Sequence, residues 1–238
     1  MLNLFRASGS ACYDFPVTMR GRFITFEGLD GSGKTTQIEK LASTLRAQHL
    51  RVHLTREPGG TPLGETIRRL LLDSGTSSLS GNTELALMFA ARTQHLDEVI
   101  LPALEVGDYV LCDRFTDSTE AYQGGGRQLG SGSVLALHRA LCANIQPDLT
   151  ILLDCDLNFS LTRARHRNLV TAAAGHPDEN RFEQENRDFF SRVHEAFHKI
   201  ARREPERVAV IDARGTPEET HQQILATVRG RLRLLIDL

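Results

Sequence analysis

The 238 residues carry 28 lysines and arginines against 30 aspartates and glutamates, a formal net charge of −2, and 40% of them are hydrophobic. That length suits one sizeable domain with a true core. The near balance of charge argues against a polybasic binder of nucleic acid or membrane surfaces, so any anionic ligand has to be gripped by a few local cations.

Residues 1–18, MLNLFRASGSACYDFPVT, have no periodic apolar face and no signal-peptide core; they read as a disordered leader before a single domain over 19–238, with Met19 as an alternative start. RFITF (Arg22–Phe26) is a predicted strand that runs into a glycine-rich loop and then a helical pattern with Ile38, Leu41 and Leu45 on one face. RVHLT (Arg51–Thr55), YVLCD (Tyr109–Asp113), LTILLD (Leu149–Asp154) and RVAVID (Arg207–Asp212) are four further predicted strands. Helical patterns fill the gaps, clearest over Thr83–Leu104 and Pro217–Ile236. Continuous apolar strands alternating with helices predict an α/β fold: a doubly wound, five-stranded parallel sheet with helices on both faces. The Ala/Gly-rich and then polar stretch 168–182 interrupts this alternation and reads as a flap. No apolar run approaches the roughly 18 residues that span a bilayer. The four cysteines (Cys12, Cys112, Cys142, Cys155) lie far apart with no C-x-x-C pair. A soluble, cytoplasmic chain with reduced thiols is expected.

Gly28, Gly33, Lys34 and Thr35 satisfy G-x-x-x-x-G-K-[ST] between a strand and a helix. In such a loop glycines let backbone N–H groups face phosphates, the helix N-terminus adds its dipole, the lysine reaches the β and γ oxygens, and the hydroxyl ligates Mg²⁺. The expected ATP-binding segment is Gly28, Asp30, Gly31, Ser32, Gly33, Lys34, Thr35 and Thr36. A GTP-dependent switch would want an N-K-x-D segment, yet Lys34, Lys40 and Lys199 are the only lysines and none has that setting. A kinase instead needs an anion site opposite the loop. Arg56, after the second strand in TREPGGT, and Asp113 with Arg114, after the third in DRFTDSTEAYQGGGR, converge there. The planar guanidinium fork suits a phosphate monoester, so the acceptor already carries a phosphate. Asp113 either holds Mg²⁺ through water or orients Arg114, Asp154 is a lesser metal candidate, and Glu27 is expected to close an ion pair in the crevice. The Glu57–Pro58 bond is a cis candidate.

Taken in order, FEGLDGSGKTT, TREPGGTPLGE, FAAR, DR with DSTEAYQGGGR, and RFEQE resemble bacterial thymidylate kinase from about Arg22 to the C-terminus. The resemblance implies transfer of the γ-phosphoryl of ATP to dTMP with Mg²⁺, and a homodimer through the helix over Thr83–Leu104. It implies that Arg56 and Arg114 hold the dTMP phosphate, Asp30 lies near the 3′-hydroxyl, Arg92 reaches thymine O4, Thr119 hydrogen-bonds the base edge, and Gln123 belongs to the dTMP site. It further implies that Phe89 stacks on the base, with Met88 as the alternative, and that Tyr122 crowds the 2′ carbon. The loop has no cation besides Lys34, so a lid over about 163–183 is expected to supply one. Among Arg163, Arg165, Arg167 and Arg181, the choice falls on Arg167 and Arg181 for the transferring phosphoryl group, with Arg163 against the adenine.

Overall fold

Five apolar segments pair side by side in the computed structural model, which describes residues 20–75, 79–164 and 180–232. They are β1 (Phe23–Glu27), β2 (Val52–Arg56), β3 (Tyr109–Asp113), β4 (Leu149–Asp154) and β5 (Val208–Asp212), all parallel in the order β2-β3-β1-β4-β5. The three central strands are buried almost throughout, which is why they show no polar alternation, whereas β2 at the edge is half exposed. This is the expected fold, with starts one residue late at β1, β2 and β5. The leader over 1–18, Met19, Arg165 and Arg167 lie outside the described residues.

Helices cover both faces. On one, α1 (Lys34–Ala47) and the closing helix Pro217–Leu232 bury Leu41, Leu45, Ile224 and Val228 against Ile24, Phe26, Leu111 and Ile151. On the other, Phe23, Val110, Cys112 and Phe115 meet Phe89, Leu96 and Ile100. These last belong to one long helical run: α3 (Gly81–His95), a π-helical turn (Leu96–Ile100) and α4 (Leu101–Glu105). Each buried aliphatic side chain of this kind contributes about 1.5–3 kcal/mol. Local signals set the starts: Thr61 caps α2 (Pro62–Leu72) through Gly64 N–H at 2.9 Å, with Pro62 at the first turn, and Ser80 caps α3.

After β3 the chain forms α5 (Thr116–Thr119), a π-helical turn (Glu120–Gly126) and α6 (Ser131–Leu141). After β4, residues 157–164 are helical (α7), and α8 (Arg187–Arg203) follows residue 180. The triple glycine of AYQGGGR explains itself here: a Cβ on Gly125 would lie 2.7 Å from the Ala196 methyl, and one on Gly126 2.5 Å from the Phe189 ring. Helix α8 therefore rests directly on the backbone of the π turn. β1 sits between β3 and β4, so its carboxyl end opens at the point where the winding reverses, the usual ligand crevice of such sheets.

Candidate active site

The loop after β1 is shaped by left-handed glycines, Gly28 at φ 129° and Gly31 at φ 83°. A Cβ on Gly31 would lie 2.3 Å from Ser160 O, so α7 closes tightly on the loop. Gly33 caps α1 without a side-chain hydrogen bond, leaving the first-turn N–H groups for an anion, and Thr35 and Thr36 beside it are exposed. The Lys34 ammonium donates to Gly28 O (3.1 Å) and Leu29 O (2.9 Å) and stands 3.9 Å from Asp30. Burial and then the neighbouring Arg114 push its pKa down. Ser32 Oγ is buried without a partner.

Opposite the loop, Arg56 is in register with Asp113 across β2 and β3, and Arg114 follows. Arg114 has φ 70°, an uncommon left-handed conformation for a residue with a Cβ. Its guanidinium is held by Asp30 Oδ1 (2.8 Å), Ser118 Oγ (2.8 Å) and the face of Tyr122 (5.0 Å). Burial works against its charge, but Asp30, Tyr122, Asp113 and Glu27 hold its pKa well above the ordinary value. The Tyr122 hydroxyl donates to Asp30 Oδ2 at 3.3 Å, so the phenol and the loop carboxylate form one wall. Burial pushes its pKa up. Arg56 is 52% exposed and reaches Glu65 Oε2 at 3.0 Å. Asp113 Oδ1 is buried without a hydrogen-bond partner, an oxygen suited to a cation or its water.

Glu27 differs from expectation. In place of an ion pair it accepts from Phe115 N–H (2.7 Å) and the Ser118 hydroxyl. Burial, and then the charge of Asp117, raise its pKa to about 8. The Glu57–Pro58 bond is cis, as expected.

Arg92 lies 1% exposed beneath the acceptor side. Glu57 holds its Nε at 2.7 Å and Thr119 Oγ1 its Nη2 at 2.8 Å, while Nη1 has no partner. The rings of Phe89 and Phe115 flank it at 5.0 and 5.1 Å. Glu57 also accepts from His95, whose other nitrogen meets Thr55 Oγ1 at 2.6 Å. Burial would raise the Glu57 pKa, but Arg92 and His95 outweigh it and hold it down. The expectation for Phe89 needs correction. It is 1% exposed and its ring is spent on the core and on Arg92, so it offers no face to a base. One step round the helix, partly buried Met88 packs toward the cluster that contains Tyr122 and Phe182.

Gln123 donates to Glu84 at 2.7 Å and leaves Oε1 buried without a partner. Glu84, fully buried, also accepts from Arg127 (3.2 Å) and forms an ion pair with Arg181, whose Nη2 lies 2.9 Å away without a hydrogen bond. Arg181 is engaged here rather than at the phosphate loop; it also donates to Leu71 O and lies 4.5 Å over the Phe182 ring. A role at the phosphoryl group requires it to exchange Glu84 for phosphate. Arg163, on the helix that closes on the loop, stacks on Phe159 at 5.4 Å. Asp154 is taken by His194 and His198, at 2.9 and 3.2 Å. Sequence reasoning missed Glu57, Glu84, His95 and Ser118. Glu57 stands inside TREPGGT, but its partner is 35 residues away.

Residues 26–224 match the family model described as thymidylate kinase. The chain is 49% identical over 208 residues to a thymidylate kinase of Pelobacter propionicus, covering 87% of this chain and 94% of that one. It is 51% identical over 218 residues to one of Pseudomonas syringae pv. tomato, covering 92% and 96%. Among solved structures, the crystal structure of thymidylate kinase from Ehrlichia chaffeensis superposes with a TM-score of 0.70 at 33% identity, over 88% of this chain and 99% of that chain. The chain belongs to the thymidylate kinase family; it is an ATP-binding kinase that phosphorylates dTMP.

Proposed function

We propose that, within the thymidylate kinase reaction, this chain holds dTMP on a prearranged arginine wall and brings ATP to it with the phosphate loop and a lid arginine. The observation that carries this reading is Arg92: a fully buried guanidinium, clamped by Glu57 and Thr119, with one nitrogen left to donate. A buried donor of this kind suits a carbonyl such as thymine O4. Arg56 and Arg114 take the acceptor phosphate, Thr119 and Gln123 the base edge, and Asp30 the 3′-hydroxyl. Tyr122 stands where a 2′-hydroxyl would collide. Met88 covers the base in place of Phe89.

The acceptor oxygen is already anionic, so no general base is required; catalysis is positioning and charge neutralisation. The backbone from Gly28 through Gly33, with Ser32, Thr35 and Thr36, cradles the donor phosphates, and Lys34 moves from its loop carbonyls to the β and γ oxygens. The unpartnered Asp113 oxygen and the exposed Thr35 hydroxyl fit Mg²⁺, which they would hold and which would supply positive charge to neutralise the phosphates. Arg163 lies along the adenine. Arg167 neutralises the transferring group, with Arg181 joining it when released from Glu84. A homodimer along α3 and α4 completes the proposal; Ala86 and Ala90 are exposed on that helix.

Coupled ADP release with ATP and a panel of nucleoside monophosphates tests the reading. Turnover with dTMP, a higher KM for dTMP in Arg92→Ala, and loss of turnover without Mg²⁺ are expected. Unchanged dTMP affinity in Arg92→Ala refutes the base assignment.

A further inference from the structure

Behind the phosphate loop, three side chains that the kinase reaction does not use converge on one point. His194 and His198 lie four residues apart on one face of α8, and Asp154 ends β4. His194 Nε2 is 2.9 Å from Asp154 Oδ1, His198 Nε2 is 3.2 Å from the same oxygen, and the two nitrogens are 3.3 Å apart. All three are partly exposed and face a small cleft that Gly28, Leu29, Leu153 and Phe197 also line. They are the one group of three or more possible metal ligands within such reach among the described residues.

From this geometry we propose a binding site for a divalent transition cation, best suited to Zn²⁺, with Asp154, His194 and His198 as three protein ligands and one position left open. Zinc bonds of about 2.0–2.1 Å in a tetrahedron put neighbouring ligand atoms roughly 3.3 Å apart. The observed triangle of 2.9, 3.2 and 3.3 Å is close to that face without rearrangement. Two imidazoles with one carboxylate are the donor set that zinc favours over Mg²⁺. Protons satisfy the cluster less well. If each Nε2 carries a hydrogen, both donate to a single Oδ1 and the nitrogen–nitrogen contact has no acceptor. A cation accepts all three lone pairs at once. Helical i, i+4 histidines are the same device by which zinc is gripped from one helix face.

The location gives the site its consequence. Phe197, between the two histidines in sequence, packs in one cluster with Leu29 of the phosphate loop. A cation there pins α8 to the end of β4 and braces the loop from behind, away from the acceptor wall.

The test uses the untagged full chain, stripped of metal and titrated with Co²⁺ and then Zn²⁺. One equivalent of Co²⁺ should give the visible absorption of a four- or five-coordinate nitrogen and oxygen site, displaced by Zn²⁺. His194→Gln, His198→Gln and Asp154→Asn should each lower Zn²⁺ affinity by more than the roughly 10–100-fold that loss of a supporting group costs. At free Zn²⁺ of about 100 Kd the melting temperature should rise by about 5–10 °C in the wild type, and not in the His variants. Their metal-free melting temperatures and circular dichroism report whether they remain folded. Absence of a Co²⁺ spectrum, a sulfur-to-cobalt charge-transfer band, or equal Zn²⁺ affinity in folded His variants overturns the proposal.

Discussion

On the acceptor side of the crevice every cation is backed by a carboxylate: Arg92 by Glu57, Arg114 by Asp30, Arg56 by Glu65. On the donor side Lys34 donates to two backbone carbonyls, with Asp30 only at 3.9 Å, and Arg163 lies on a phenyl ring. The difference bears on what each half can do when a substrate arrives. Arg92 and Arg114, little exposed and paired to carboxylates, keep their place, so that part of the acceptor side is prearranged, whereas the exposed Arg56–Glu65 pair can exchange partners. An ammonium on neutral carbonyls exchanges them for phosphate oxygens at little cost, so the donor side can move its charge with the reaction. Glu84 connects the halves, because it accepts from Gln123 and is ion-paired with Arg181.

The contrast breaks most visibly at the lid. Replacing Arg163, Arg165, Arg167 and Arg181 by Ala one at a time should give at least one variant with kcat down by about 10³–10⁵, with dTMP affinity nearly intact by titration. If all four turn over like the wild type, the donor half does not depend on a lid arginine. On the acceptor side the same truncation should act on folding. Arg92→Ala leaves Glu57 charged and buried, which should lower stability by about 3–5 kcal/mol in denaturant melts. Adding Glu57→Gln should restore part of it. Lys34→Ala is expected to keep the fold and lose about 10²–10³ in kcat; a melting temperature that falls as far as in Arg92→Ala would erase the distinction between the halves.

Between the two halves, Glu27 provides a pH test. Its folded pKa of about 8 lies above its ordinary 4.5, so the native state binds the extra proton. Its contribution to stability is full below pH 4.5 and is lost as pH rises through 8, a few kcal/mol at most. Glu27→Gln, which stays neutral, should show a smaller fall in melting temperature over that window; equal slopes would mean Glu27 is ionised in the native state. The smallest effect is on specificity. Tyr122→Ala should narrow the deoxy-over-ribo ratio of kcat/KM by about 10–200-fold, the scale of one steric contact, and an unchanged ratio would remove the 2′ filter from this residue.

The five strands, the phosphate loop and the arginines at the end of β2 and just after β3 were all legible in the sequence, because each rests on local pattern: apolar runs, glycine spacing, position at a strand's carboxyl end. What was not legible lies in pairings across the chain. Glu57 meets Arg92 over 35 residues and Glu84 meets Gln123 over 39, and nothing local marks either carboxylate as a partner. Phe89 and Met88 show a second limit. One residue turns a helix by about 100°, enough to send Phe89 into the core and leave Met88 facing the cluster around Tyr122, and an apolar pair on a helix does not say which of the two faces inward. The triple glycine read as a motif, yet its physical reason, the seat of α8 on the π turn, appears only in three dimensions.

On the roles proposed for Gln123 and Arg181, Glu84 would couple substrate binding to lid position. If closing the lid draws Arg181 away, the carboxylate is left with Gln123 and Arg127, and the Gln123 amide would be held more firmly in the orientation proposed to meet the base. Whatever factor closure adds to dTMP affinity, bound dTMP must add to closure by the same factor. The acceptor would then act as an effector for the donor side, and an ATP-only complex would close less often than a ternary one, which limits the wasteful transfer of phosphate to water.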